Sequence, residues 1–383
     1  MRILYDSQIF DSQVVGGISR YHYELIKNNR DDEVILSTKF TDNEYLLHDD
    51  KYNFKSDPYT FEKFLPGLNF RGKHFLFRTK NKINPPPFIS NKEETIKLLK
   101  DGNFDVFHPT YYDPYFLDYM GNKPYVVTIH DLIYEKYPEL YPLNARIREN
   151  KKVIIENANK IIAISECTKK DIIEFYGVNE DKISVIYHGL SFMQNENVQL
   201  KPKFNEIIQK KYFLFTGLRT LYKNFYFMVY ALCDFLKEHK DVNIVCTSWD
   251  FSEEEIGLFK ELGIENQIIH YFASDDELFL LYKKALAFIF PSYYEGFGIP
   301  ILEAFQAECP LILAKASCFP EIAKDAALYF DSKNSYELKD CCKKILESED
   351  LRKKYIKKGL ERVKDFSWER TTKETQKVYE SIK

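Results

Sequence analysis

The sequence predicts an α/β protein of two doubly wound, Rossmann-like halves, and three observations predict it. Short apolar runs alternate with helix-period patterns along the chain. The alternation starts afresh after a polar junction that carries no strand pattern. In the second half, the stretch FIFPSYYEGFGIPILEAFQAECP (residues 288–310) passes from an apolar strand through a glycine turn into a helix, the connection on which doubly wound sheets bind ligands.

Taken in order, strands are expected at 3–5, 34–36, 106–107, 126–129, 161–164 and 185–187. Between the last three lie helices, one over 147–157 and one capped by Ser165 and running to about residue 175. A polar hinge is placed near 192–209, which separates a first domain, 1–191, from a second, 210–366. The second repeats the pattern with strands at 212–216, 244–246, 268–271, 286–290 and 311–313. From 337 to 383 the pattern is almost wholly helical and contains no strand. The region 40–90 is the least legible. Its aromatics alternate with Arg71, Lys73, Arg78, Lys80 and Lys82, which fits either a surface meeting anionic lipid or, the favoured reading, a solvated basic edge whose aromatics turn inward.

Composition narrows the function. A chain of 383 residues can bury two cores. With 45% hydrophobic and 29% charged residues it is globular rather than disordered. A net charge of −4 offers nucleic acid no global field. Seven cysteines without a C-x-x-C arrangement suggest neither a disulfide framework nor a zinc site, and fit a reducing cytoplasm. The start, MRILYDSQIF, enters a strand directly without the basic-then-apolar order of a secretory signal. No apolar run approaches the roughly 18–20 residues of a membrane span.

The chemistry concentrates in a few turns. In the 288–310 stretch, Glu295 precedes the helix and Glu303 lies just inside it, eight positions on. Gly296 and Gly298 let the backbone approach a ligand, and the helix start, with Pro300 in its first turn, points N–H groups at an anion. Carboxylates flanking an anion nest suit hydroxyls on either side of it, so a sugar nucleotide fits. Gly16-Gly17 follows the first strand and precedes a helix, which suits a phosphate or an ordinary tight turn. His130 and Asp131 stand at the C-terminal end of the strand in VVTIHDL. His188 ends another strand near the hinge, as a ligand group or a hydrogen-bonded core residue. In GLRTLYKNF, Arg219 and Lys223 follow Gly217, so both can converge on one diphosphate.

The string PSYYEGFGIPILEA resembles the donor site of glycosyltransferase family 4, whose members are retaining enzymes of the two-domain GT-B architecture, two Rossmann-like domains facing each other across a cleft. The resemblance extends over nearly the full length through GG-I-x-RY at the first helix, HDL and YKNF. It implies that Gly16 and Gly17 lie beside the donor and help shape the acceptor cleft, and that His130 borders the transferred sugar, as a catalytic group with Glu295. Glu295, Gly296, Phe297 and Gly298 would hold the donor sugar, Glu303 the ribose, and Arg219, Lys223, Gly16 and Gly17 the diphosphate, with Asp131 and His188 as secondary candidates. Tyr222 stands where the commoner family form has an arginine, which leaves Lys223 the firmer of the two cations. The last helix, after FSWER at 366–370, would cross back so that 367–383 packs on the first domain. No D-x-D pair occurs, so no metal and no cofactor are expected, and the cations and the helix start would carry the leaving charge. The resemblance is nearest to bacterial mannosyltransferases of O-antigen or capsule assembly. GDP-mannose is the first expectation for the donor, with a UDP-sugar as the alternative; a sugar-nucleotide 2-epimerase and a non-catalytic sugar-nucleotide-binding protein are the rival readings. The acceptor would be a glycan or lipid-linked glycan, and the place of action the cytoplasm or the inner face of its membrane.

Overall fold

Among the described residues, twelve short strands build two parallel sheet systems. In the computed structural model every residue is described except 53, 57–63, 69, 71, 84–89, 193–200 and 220. The first half contains β1 (Arg2–Tyr5), β2 (Glu33–Leu36), β3 (Val106–His108), β4 (Val126–Ile129), β5 (Lys160–Ala163) and β6 (Ile183–Val185). They form two parallel sheets ordered β2-β1-β3 and β4-β5-β6, which a single parallel bridge between Phe107 and Tyr125 joins edge to edge. The second half carries β7 (Lys211–Phe215), β8 (Val242–Cys246), β9 (Ile268–His270), β10 (Ala287–Phe290), β11 (Leu311–Ala314) and β12 (Leu328–Phe330) in one parallel sheet ordered β12-β11-β10-β7-β8-β9. Strand order reverses between β7 and β10, and the crevice beyond their C-terminal ends is where such sheets take ligands. These are two Rossmann-like domains, as the sequence predicts.

Burial explains the pattern. The residues of β4, β8, β10 and β11 are buried throughout, so these strands read as continuous apolar runs. Two strands depart from expectation. β6 pairs only through Ile183, Ser184 and Val185, so it ends before Tyr187 and releases His188 into a loop. The edge strand β12 escaped the sequence reading because three residues are too short a run to show a period.

Within the stretch read as a hinge, Pro202–Ile208 is a helix whose buried Phe204 and Ile207 join the core of the second half, while 193–200 lie outside the described residues. The final helix, Trp368–Glu380, packs on the first half. Its Tyr379 hydroxyl lies 2.7 Å from the Tyr5 hydroxyl and 2.6 Å from His108 Nδ1. The chain crosses at Gly189, where a Cβ would stand 2.2 Å from the backbone nitrogen of Trp368, so only glycine allows that approach. Among the described residues no helix is long and apolar enough to cross a membrane.

Candidate active site

The glycine turn after β10 is built to stay open to a ligand. Pro291 ends the strand, and the helix Ile299–Gln306 begins after Gly298, whose φ of +87° a side chain disfavours. No side chain caps this helix; Pro300 has no N–H and the Ile301 N–H donates to the Gly298 carbonyl at 2.9 Å, so of its first three positions the Ile299 N–H is left for an anion. Ser317 fixes the turn by donating to the Glu295 carbonyl at 2.5 Å and accepting from the Glu295 N–H at 3.2 Å.

Lys223 meets Glu295 across the turn, Nζ to Oε1 at 2.7 Å, with both side chains only 14% exposed. The loops that carry them are tied together by the Tyr293 N–H, which donates to the Tyr222 carbonyl at 2.8 Å. The expected second cation does not join them. Arg219 gives Nε and one terminal nitrogen to Glu255, at 2.6 and 3.1 Å, and donates to the carbonyls of Trp249 and Asp250. Its guanidinium also lies 4.8 Å from the centre of the Phe251 ring. In this arrangement a diphosphate would have to displace Glu255 to use Arg219, so the structure does not bring Arg219 and Lys223 together.

Glu303 lies inside the helix, buried beneath the turn. It accepts from the Tyr282 hydroxyl at 3.3 Å and stands 3.8 Å from Arg20, a residue of the helix Gly17–Asn28 in the other half. Arg20 also donates to the Ser191 carbonyl. Burial pushes the Glu303 carboxyl up to about 7, against the pull of the Arg20 charge. The neutral acid therefore dominates below about pH 7 and the carboxylate above it. A ligand hydroxyl that donates to the carboxylate should bind more tightly as pH rises through that value, by up to about tenfold per unit on the acid side. Calorimetric titration with a nucleotide sugar, whose diphosphate does not titrate there, should show this dependence in the wild type and lose it in Glu303→Gln.

The first half closes over the turn. A Cβ on Gly296 would stand 1.7 Å from the His130 carbonyl oxygen, so the two backbones are in direct contact. A Cβ on Gly17 would be 3.7 Å from Ile299 Cδ1, which puts the glycine pair against the helix start. His188 stacks on Phe297, centroids 4.7 Å apart, and neither of its ring nitrogens has a partner. His130 offers the turn its carbonyl rather than its ring. The ring is buried, edge-on to Tyr21 at 5.0 Å with His22 and His188 nearby, and its Nε2 has no partner. Burial holds the imidazole neutral, well below its usual value. Asp131 accepts from the Ile133 N–H at 3.1 Å, and the buried Lys151 donates to the Asp131 carbonyl at 2.9 Å.

The structure thus gathers Gly17, His130, His188, Lys223, the turn 295–298 and Glu303 at one junction, and leaves Arg219 engaged elsewhere. Sequence reasoning missed Arg20, although it stood in the GG-I-x-RY string, and missed the first-half groups that grip the turn. Ser165 Oγ and Thr168 Oγ1 donate to the Gly296 carbonyl at 2.7 and 3.3 Å, and Tyr294 reaches across to Asp171. Ser165 gave only the signal of a helix cap, which it also is. Among the described residues no three His, Cys, Asp or Glu side chains could hold a metal ion.

Known proteins share both halves. Residues 15–192 match the family described as Glycosyltransferase Family 4, and residues 198–362 match the group 1 glycosyl transferases. O-antigen chain mannosyltransferase B of Escherichia coli is 26% identical over 296 residues, 74% of this chain and 76% of that protein. The O-antigen chain mannosyltransferase RfbU of Salmonella typhimurium is 27% identical over 260 residues, 66% and 68% of the two chains. Among solved structures, Anabaena HepE in complex with UDP and glucose superimposes with a TM-score of 0.71 over 99% of both chains at 16% identity, a likeness of fold.

Proposed function

Since the chain belongs to glycosyltransferase family 4 and has its GT-B architecture, we propose that it is a retaining hexosyltransferase that moves mannose from GDP-mannose to a glycan or lipid-linked acceptor during synthesis of a bacterial surface polysaccharide. The observation that carries this reading is the grouping of Lys223, Glu295 and Glu303 around one uncapped helix start, roofed by the first half. In it, Glu303 accepts from ribose hydroxyls. Lys223 and the helix start hold the diphosphate, and Glu295 accepts from the hexose. His130, whose carbonyl meets the turn at Gly296, borders the hexose.

During transfer the bond from the anomeric carbon to the diphosphate oxygen breaks, and its electron pair leaves on the diphosphate. An acceptor oxygen bonds to the same face of the carbon, and its proton passes to the departing phosphate oxygen. Lys223 and the helix start stabilise the charge that develops there. Likeness to two O-antigen mannosyltransferases supports mannose as the sugar.

The test is transfer itself. Purified protein is given GDP-mannose, or UDP-glucose, UDP-galactose or UDP-N-acetylglucosamine, with lipid-linked acceptors and EDTA. Released nucleotide and transferred sugar should appear together from GDP-mannose. Turnover that needs Mg²⁺ or Mn²⁺ would remove metal independence from the proposal. A 2-epimerised sugar nucleotide without transfer would replace the reading.

A membrane surface for the same enzyme is favoured by one observation. The aromatics of the basic segment do not all turn inward: on the helix Lys73–Ile83, Phe75 is 72% exposed and Leu76 46%, beside exposed Arg78, Lys80 and Lys82. Arg71 lies outside the described residues. Neutralising Arg78, Lys80 and Lys82 should weaken binding to anionic vesicles at low salt by about 1 kcal/mol per residue. Wild-type protein that ignores such vesicles in a sedimentation assay would return this helix to a solvated edge.

A further inference from the structure

The turn that carries Glu295 is gripped by the first half as well as by its own. Tyr294, next to Glu295, is almost wholly buried. Its hydroxyl donates to Asp171 Oδ2 at 2.6 Å, on the helix Glu166–Tyr176, and accepts from the Leu132 N–H at 3.1 Å. Leu132 is two residues beyond His130. One hydroxyl therefore ties the neighbour of Glu295 to the strand end of His130.

Its surroundings hold it there. Asp171 is paired with Lys136 at 3.1 Å, and Lys136 also lies 5.2 Å from the centre of the Tyr294 ring. Tyr137 meets the ring edge-on at 6.3 Å. The same helix Glu166–Tyr176 is also locked to the second half at its N-terminus. Glu321 accepts from the Glu166 and Cys167 N–H groups at 2.7 and 3.2 Å, where a carboxylate suits a helix N-terminus. Ser165 and Thr168 hold the Gly296 carbonyl between these two anchors.

We propose that Tyr294, anchored by Asp171, is a positioning residue for sugar transfer: it sets Glu295 of the second half against His130 of the first when the halves close. It touches no substrate and acts through the turn. The inference rests on the transferase reading above. Its physical basis is that the two groups proposed to meet the hexose come from different halves, so their separation is only as fixed as the contacts between the halves. A buried hydroxyl bonded to a carboxylate and to a backbone N–H, with an aromatic ring packed around it, fixes both direction and distance.

Tyr294→Phe keeps the ring and removes only the hydroxyl. It should lower kcat for transfer by on the order of ten- to a hundredfold, because misplacing a reacting group is costly. Affinity for free GDP or UDP, which is held on the second half, should stay within about twofold. Hydrogen–deuterium exchange should speed up in segments 130–136 and 165–170 of the same variant, whether or not a substrate is present. Asp171→Asn should reproduce both effects, and it stands in if Tyr294→Phe does not fold.

Unchanged kcat together with unchanged exchange overturns the proposal. So does a parallel fall in kcat, nucleotide affinity and melting temperature, which would mark Tyr294 as a stabilising contact alone. If wild-type protein transfers no sugar from any donor, the functional reading fails by itself. The exchange data then decide the tie: faster exchange in Tyr294→Phe upholds it, and unchanged exchange removes it.

Discussion

Gly296→Ala is expected to abolish sugar transfer while leaving both halves folded. The new Cβ would stand 1.7 Å from the carbonyl oxygen of His130 and 2.9 Å from its carbonyl carbon. Those are backbone atoms at the end of a buried strand, so no side-chain rotation relieves the overlap, and either the turn or the closure of the two halves must give. The turn carries Glu295 on one side and the carbonyl held by Ser165 on the other, so a shift there moves the proposed sugar contacts directly. The loss in kcat/KM should be on the order of a hundredfold or more. The melting temperature should change little, because each half keeps its own core. Gly298→Ala gives a useful contrast. Its Cβ meets only the side chains of Ile301 and Phe319, at 3.1 and 3.2 Å, and its main cost is the positive φ, about 1–2 kcal/mol. Steady-state kinetics on both variants, beside their thermal unfolding, check the ranking: Gly296→Ala should be the more damaged in turnover.

Lys223→Met carries the other large effect. The ammonium is paired with Glu295 at 2.7 Å in a nearly buried setting, while Arg219 is paired with Glu255. Methionine keeps the bulk of the stem and removes the charge. Free nucleoside diphosphate should bind about 1.5–3 kcal/mol more weakly, the scale of a lost hydrogen bond to a charged group. Transfer should suffer further, since Glu295 would be left as a buried carboxylate without its counter-ion. Isothermal titration with GDP and UDP measures the first effect, and an unchanged dissociation constant would place the diphosphate elsewhere.

What was legible in the sequence was what local chemistry encodes. The turn 295–298 announced itself because glycines, a proline and two carboxylates must stand close together in the chain to make it. The strands of the second half were legible because burial on both faces turns them into apolar runs. The fate of Arg219 was not legible. A cation after a glycine looks the same in sequence whether it faces a ligand or a carboxylate 36 residues later. Contacts between the halves were hidden for the same reason. Tyr294 with Asp171, Glu321 with the start of the helix Glu166–Tyr176, and Arg20 with Glu303 join residues more than a hundred positions apart. No period or spacing in a single sequence records such a meeting. His130 was legible as a strand-end histidine, but not that its carbonyl rather than its ring meets the turn, because ring direction is set by the packing of Tyr21, His22 and His188 around it.

The most direct test of the proposed donor orientation compares Glu303→Ala with Glu295→Ala in inhibition by free nucleoside diphosphate, which has a ribose and no hexose. Glu303→Ala should weaken inhibition by roughly 1.5–3 kcal/mol, the cost of removing a charged acceptor from its partner. Glu295→Ala should leave inhibition unchanged or tighten it, because Lys223 is then released from its ion pair, yet it should lose transfer from the intact donor chiefly through kcat. The reverse pattern, with inhibition lost in Glu295→Ala and kept in Glu303→Ala, would mean that the donor lies the other way round, and would contradict the assignment of the site.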